Sequence, residues 1–216
     1  MKSKFPIDRA IKILEREIKK YKVPIVGHFS TSPFKVLIST LLSLRTKDAT
    51  TEQACTRLFA EADTPQKILS LPTSRIEKLI YPVGFYKVKA ETLHHVCNEL
   101  IEKHNGEVPS DLDTLLKMRG VGRKTANLVV TVGFNLPGIC VDVHVHRISN
   151  RWGCIRTADP EKTEFQLRKI LPQKYWIRYN DLLVTYGQNV CLPVSPHCSK
   201  CPLSAFCPKL GVGRSR

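Results

Sequence analysis

Leu115-Leu116-Lys117-Met118-Arg119-Gly120-Val121-Gly122-Arg123-Lys124-Thr125-Ala126 reads as two helices joined by a very short turn. Glycine lets a backbone turn tightly and approach a ligand closely, and Gly120 and Gly122 flank a single valine. The helix that restarts at Arg123 turns its leading N–H groups and the positive end of its dipole outward, a natural seat for phosphate. Arg123 adds a planar fork of donors suited to the same anion. An ordinary helix–helix corner has the same outline, so the motif needs support from its surroundings. Charge supplies it: residues 114–141 contain no acid but include Lys117, Arg119, Arg123 and Lys124.

Helical periodicity extends in both directions. Ile7, Ile11, Leu14, Ile18 and Tyr21 recur at steps of four and three, with Lys and Glu between them. Residues 33–44 are apolar on nearly every side, as in a buried helix. Further helices are expected over 47–62, 65–71, 74–81, 87–104 and 111–118, punctuated by Gly84, Asn105-Gly106, Gly120 and Gly153. Ser110 is the expected N-cap ahead of Asp111 and Asp113. No sustained alternation of period two is present, so the class is all-α.

The 216 residues carry 34 Lys and Arg against 19 Asp and Glu, a net charge of +15. Residues 182–216 form a second acid-free segment, with Lys200, Lys209, Arg214 and Arg216. Such segments suit a polyanion, because each neutralised phosphate releases condensed counterions. A merely basic surface is the plainer reading of the same charge. Apolar runs such as Leu128-Val129-Val130 are too short to cross a bilayer, and Met1-Lys2-Ser3-Lys4 opens no signal-peptide core. A soluble intracellular protein of the cytoplasm or nucleoid, prokaryotic and without a membrane partner, is expected. Residues 210–216 read as a short disordered basic tail.

Eight cysteines are unevenly placed. Cys55, Cys97, Cys140 and Cys154 are scattered through helical sequence and read as small buried hydrophobes. The other four form Cys191-x6-Cys198-x2-Cys201-x5-Cys207, close enough to converge on one tetrahedral metal or a cubane cluster. In an intracellular protein such a group points to metal rather than disulfides. Pro193, Pro196 and Pro202 stiffen the loops between the sulfurs. Zinc is the rival occupant, although zinc modules pair two short knuckles and only one C-x2-C is present here.

That spacing resembles the iron–sulfur loop of the endonuclease III family of helix–hairpin–helix DNA glycosylases. Gly120-Val121-Gly122-Arg123-Lys124-Thr125-Ala126-Asn127 resembles the family's hairpin, and Val141-Asp142-Val143-His144 the segment that follows it. Resemblance runs from about Phe34 to Cys207, including Leu41-Leu42-Ser43, Lys89-Ala90-Glu91 and His104-Asn105-Gly106-Glu107-Val108-Pro109. It implies a [4Fe–4S] cluster on Cys191, Cys198, Cys201 and Cys207. It implies DNA contacts from Gly120, Gly122, Arg123, His144 and Lys200, with His197 flanking the last. The family's nucleophilic lysine falls on Lys124 and its catalytic aspartate on Asp142. The implied architecture has two lobes with duplex DNA in the cleft between them. One is a six-helix barrel with the hairpin, residues 26–136; the other is a discontinuous iron–sulfur domain, residues 1–25 plus 137–216. A monomer is expected.

The two catalytic candidates make chemical sense. A lysine must lose its proton to attack carbon, so its pKa must fall from ~10.4 toward ~7–8, which burial or a helix N-terminus promotes. An aspartate nearby accepts a proton or steadies positive charge developing on a sugar. Taken singly, Lys124 as a phosphate contact and Asp142 as a helix cap stay open. Together with the four cysteines they point to a bifunctional DNA glycosylase and AP lyase of base excision repair. Its expected substrate is double-stranded DNA with oxidised pyrimidines or abasic sites. A lysine Schiff base followed by β-elimination would cut the 3′ side of the abasic site. Two positions depart from the family pattern. Arg45 stands where a glutamine commonly fills the gap left by a flipped base, and Phe85 follows Gly84 where a leucine wedge is common. Arginine can hydrogen-bond an orphaned base and phenylalanine can stack into a gap, so opposite-base preference is open. The alternatives are a mismatch-specific adenine or thymine glycosylase, whose known members usually lack this lysine, and a non-catalytic, zinc-stabilised nucleic-acid-binding module.

Overall fold

A computed structural model of the chain describes residues 5–21 and 32–216. Among these residues every regular element is helical. The α-helices are α1 (Ile7–Glu17), α2 (Pro33–Ser43), α3 (Asp48–Glu61), α4 (Pro65–Ser70), α5 (Thr73–Ile80), α6 (Tyr86–His104), α7 (Leu112–Lys117), α8 (Arg123–Leu128), α9 (Val143–Arg151), α10 (Pro160–Ile170) and α11 (Trp176–Asn189). No described helix is long and apolar enough to cross a membrane. The chain divides into two compact units, one of Ile25–Gly138 and one of Met1–Pro24 with Ile139–Arg216. The boundary expected between residues 25 and 26 lies outside the described residues.

In the unit Ile25–Gly138, α2 is the hub against which α3, α6 and α8 pack. Pro33 and Pro65 open their helices where a missing N–H is no loss. Val36, Leu37, Ile38, Leu41 and Leu42 on α2 are buried with Leu58, Ile68, Ile76, Ile80, Leu93 and Val96. Each such side chain contributes about 1.5–3 kcal/mol on burial. Ser39 is buried too, and it is satisfied locally by donating to the Val36 carbonyl (3.1 Å).

Two local features differ from expectation. Asp111, not Ser110, caps α7, accepting from the amide (2.8 Å) and hydroxyl (2.7 Å) of Thr114. The carboxylate one residue later reaches the amide three positions on, which is the geometry of an N-cap. In addition, α8 runs on into a π-helical turn at Val129–Gly133. Thr131 Oγ1 donates to the Asn127 carbonyl (2.7 Å) there, a side-chain competitor for the ladder.

In the other unit, Ile7, Ala10, Ile11 and Leu14 of α1 join Val145, Ile148, Tyr179, Leu182, Leu183 and Tyr186 in one core. Phe5 stacks on Trp152, ring centroids 4.8 Å apart. α9 and α11 approach closely because residue 187 is glycine. A Cβ there would collide with His144 Nδ1 and lie 3.0 Å from Arg147 Nη2. Gly187→Ala is therefore expected to lower stability by about 1–3 kcal/mol, read as a fall in melting temperature, through overpacking. The C-terminal tail is ordered, contrary to expectation. Leu210 N–H donates to the Arg151 carbonyl (3.1 Å), Arg216 N–H to Pro196 (2.8 Å) and Ser199 N–H to Arg216 (2.9 Å). Arg151 ends α9 and Pro196 lies on the proline-rich cysteine loop outside any helix, so the tail reaches one carbonyl of each.

Candidate functional site

The hairpin is built as its glycines require. Gly120 sits at φ +84°, and a Cβ there would lie 2.7 Å from Thr92 Cγ2, so conformation and space both exclude a side chain. Val121 between the glycines is buried and pins the turn to the core. Gly122 opens α8 without a side-chain cap, and nothing lies within 4 Å of where its Cβ would be. Its carbonyl accepts from Ala126 N–H (2.9 Å), starting the helical ladder. Arg123 and Lys124 are half-buried on the first turn, ahead of the buried Thr125, Ala126 and Asn127. Asn127 Nδ2 donates to the Arg123 carbonyl (3.1 Å), tightening the base from which Lys124 rises.

Asp142 lies in the other unit, at the N-cap of α9. Its Oδ1 accepts from the amides of His144 and Val145, both at 2.9 Å. Oδ2 stands outside that cap, so capping does not use up the carboxylate. His144 Nδ1 lies 3.0 Å from Arg147 Nη2, which also donates to the carbonyls of Gly187 (3.2 Å) and Cys191 (2.8 Å).

Cys191, Cys198, Cys201 and Cys207 line one pocket, walled by Arg151, Trp152, Tyr186, Val190 and Pro196 among others. Among the described residues no group of three or more His, Cys, Asp or Glu is arranged to hold a single metal ion. Burial pushes the Cys201 and Cys207 thiols up, so their thiolates need a compensating positive partner. Arg151 Nη1 donates to Cys191 Sγ (3.3 Å) and to the Leu192 carbonyl (2.6 Å), while Nη2 donates to Pro193 (2.7 Å). Tyr186 Oη lies 2.7 Å from Cys201 Sγ. Sequence reasoning missed Arg151 and Tyr186. The available signal was confined to Arg151, which ends the acid-free stretch 143–151. Lys200 is exposed on the loop and His197 half-buried beside it. Cys55 and Cys97 are buried with thiols pushed up to about 12, as inert packing residues are. Cys140 is buried as well, and Cys154 is half-buried.

Arg45 and Phe85 are brought together within their unit, the guanidinium carbon 5.7 Å from the ring centroid. Both adopt left-handed backbone, φ 53° and 59°. For a residue with a Cβ that costs about 1–2 kcal/mol each. Gly84 is not the left-handed residue; its missing Cβ instead admits the Arg45 carbonyl, which a Cβ would approach to 2.7 Å. Beneath them Lys89, also missed, is buried, and burial pushes its pKa down to about 8.

Residues 38–173 match the model of the family described as HhH-GPD superfamily base excision DNA repair protein. Endonuclease III of Thermotoga maritima is 46% identical over 197 residues, covering 91% of this chain and 92% of its own. A solved non-covalent endonuclease III–DNA complex superposes with a TM-score of 0.85 at 35% identity, over 94% of each chain. A trapped covalent endonuclease III–DNA intermediate superposes at 0.78 with 40% identity, over 82% of this chain and 84% of that one. The family match includes the hairpin and reaches into both units, and the chain belongs to the endonuclease III family of the HhH-GPD superfamily.

Proposed function

We propose that this chain excises oxidised pyrimidines with Lys124 as nucleophile and Asp142 as its acid–base and electrostatic partner. The protein is a bifunctional DNA glycosylase and AP lyase of base excision repair, and its partner is double-stranded DNA. What carries the assignment of Lys124 is its place on the first turn of α8, directly after the open glycine turn. The damaged nucleotide is extruded from the stack, because its sugar carbon is unreachable within the duplex. The unprotonated Lys124 amine bonds to C1′ and the base departs with the glycosidic electron pair. Asp142 takes up the proton released by the amine and steadies the positive charge on the sugar. The sugar ring then opens: the C1′–O4′ bond breaks, O4′ takes up a proton, and the nitrogen lone pair forms an imine with C1′. The imine acidifies C2′, and loss of that proton expels the 3′ phosphate. Gly120, Gly122 and Arg123 seat a phosphate; His144 and Lys200 add backbone contacts; Arg45 and Phe85 fill the vacated space. On this reading residues 26–136 form the hairpin-bearing barrel, residues 1–25 and 137–216 form the cluster lobe, and the enzyme works as an intracellular monomer on the chromosome.

We further infer that Cys191, Cys198, Cys201 and Cys207 hold a [4Fe–4S] cluster. Four sulfurs lining one pocket, in a spacing with a single C-x2-C and longer gaps of six and five residues, suit a cluster whose irons each take one thiolate better than they suit zinc. Arg151 and Tyr186 would donate to its sulfurs, and the cluster would supply a cross-link between this loop and the core of α9 and α11. Purified protein should be brown. Cys201→Ala should lose the colour and about 4 kcal/mol of stability, a melting-temperature drop of roughly 10 °C. A colourless, equally stable wild type would contradict the assignment.

A panel of duplexes tests the substrate reading. With EDTA present, oxidised-pyrimidine and abasic duplexes should be cut on the 3′ side of the lesion. Excision of adenine or thymine from mismatches, without strand scission, would favour the mismatch-specific reading instead.

A further inference from the structure

Lys89 Nζ donates to the Leu42 carbonyl (2.8 Å), the Leu44 carbonyl (2.6 Å) and Thr46 Oγ1 (3.2 Å). Three acceptors match the three N–H bonds of an ammonium. They all belong to the end of α2 and the turn that follows, the segment that carries Arg45. Lys89 itself stands on the first turn of α6, directly after Phe85. Thr46 Oγ1 also accepts from Gly84 N–H (3.1 Å) and donates to the Leu44 carbonyl (3.3 Å), so its hydroxyl is fully used. Gly84 lets the two backbones touch at the Arg45 carbonyl.

Two of this unit's left-handed surface residues, Arg45 and Phe85, are therefore tied together from below. Phe85 is 62% exposed and Arg45 is exposed, so packing does not fix either side chain. What fixes them is backbone: left-handed residues persist only when their surroundings over-determine them, and such strain gathers at functional sites. A buried ammonium joining the start of α6 to the turn after α2 is a costly device for a plain corner, because a carbonyl can be satisfied by water at no such penalty.

We propose that Lys89 is a positioning residue that, through Thr46 and the Leu42 and Leu44 carbonyls, holds Arg45 and Phe85 as one preassembled unit for insertion beside the orphaned base. The proposal rests on the reading of Arg45 and Phe85 as gap-filling DNA contacts. Preassembly matters because loops that must be ordered on binding spend interaction energy on ordering. Lys89 does not touch the sugar or the attacking amine in this scheme, so its loss should show where an opposite base exists and a gap must be filled.

The test is the ratio of cleavage on an abasic duplex to cleavage on the same abasic strand alone, measured for the wild type, Lys89→Met and Lys89→Arg, with 2-aminopurine opposite the abasic site as the probe. Lys89→Met should lower the duplex-to-single-strand ratio and the 2-aminopurine response about tenfold, with Lys89→Arg recovering most of both. In an Arg45→Ala/Phe85→Ala background, Lys89→Met should change the ratio by less than about twofold, since it acts through those residues. Thr46→Val removes one acceptor of the clamp and gives the same readout, in the same direction, should Lys89→Met not fold. An unchanged ratio in Lys89→Met, or in Thr46→Val standing in for it, overturns the proposal. So does a full tenfold effect persisting in the double-alanine background. An unchanged ratio in the double-alanine protein itself overturns the gap-filling reading and the proposal together, whereas a lowered one there with wild-type Lys89→Met overturns the proposal alone.

Discussion

Lys124→Arg and Lys124→Ala should both lose strand scission, each by at least about 10³-fold in single-turnover rate, or about 4 kcal/mol of transition-state stabilisation. The arginine variant is the informative one. It keeps a cation on the first turn of α8, so a residue that merely touched phosphate would survive the change with modest loss. A guanidinium does not surrender its proton in a protein, so it cannot attack carbon. Binding to an uncleavable abasic duplex should stay within about tenfold, because one phosphate-scale charge is a small part of a multi-contact, salt-dependent affinity. The neighbours offer no substitute: Arg123 is a guanidinium that keeps its proton, and Thr125 is buried. Gel-resolved product formation checks the rate, and fluorescence anisotropy checks the affinity. Scission retained in Lys124→Arg would return Lys124 to the role of a phosphate contact.

Asp142→Asn should slow turnover by about 10²–10⁴-fold while leaving the fold as stable as before. The argument turns on what Oδ1 does. It accepts from two amides at the start of α9, and asparagine is as good an N-cap as aspartate. Asparagine keeps that oxygen but has neither the negative charge nor the basicity that a sugar cation and an ammonium proton require. Asp142→Ala removes both functions and should also lose about 1 kcal/mol, a melting-temperature drop of roughly 2–4 °C. The pair of variants separates cap from catalyst. Equal rates in wild type and Asp142→Asn would leave Asp142 a cap and nothing more.

What was legible in the sequence follows from how local each signal is. Helices such as α3, α5 and α6 were readable because burial on one face imposes a period that survives in the chain. The hairpin was readable because a left-handed Gly120 against Thr92 tolerates only glycine. The cysteine group was readable because thiols that line one pocket from a single loop recur at short intervals in the chain. Lys89 was quoted only as part of a resemblance, since its partners Leu42, Leu44 and Thr46 are backbone and hydroxyl groups more than forty residues away. Nothing in a lysine announces a carbonyl clamp. Phe85 and Arg45 were noticed as unusual residue types, but their left-handed backbone was not, because glycine at 84 invited that role for itself. The order of the tail was not legible for the same reason: its anchors are backbone groups of α9 and the cysteine loop, invisible to composition. Arg151 and Tyr186 face the sulfurs from α9 and α11, forty and fifteen residues before their cysteines, and no spacing rule ties a helix to a loop at such separations.

The most direct measurement reduces the enzyme–DNA imine with borohydride on an oxidised-pyrimidine duplex, digests the adduct, and locates the modified peptide by mass spectrometry. The expected result is one sugar remnant, carried by the Nζ of Lys124 and missing from Lys124→Arg. A remnant on any other amine, or undiminished adduct in Lys124→Arg, would contradict the account.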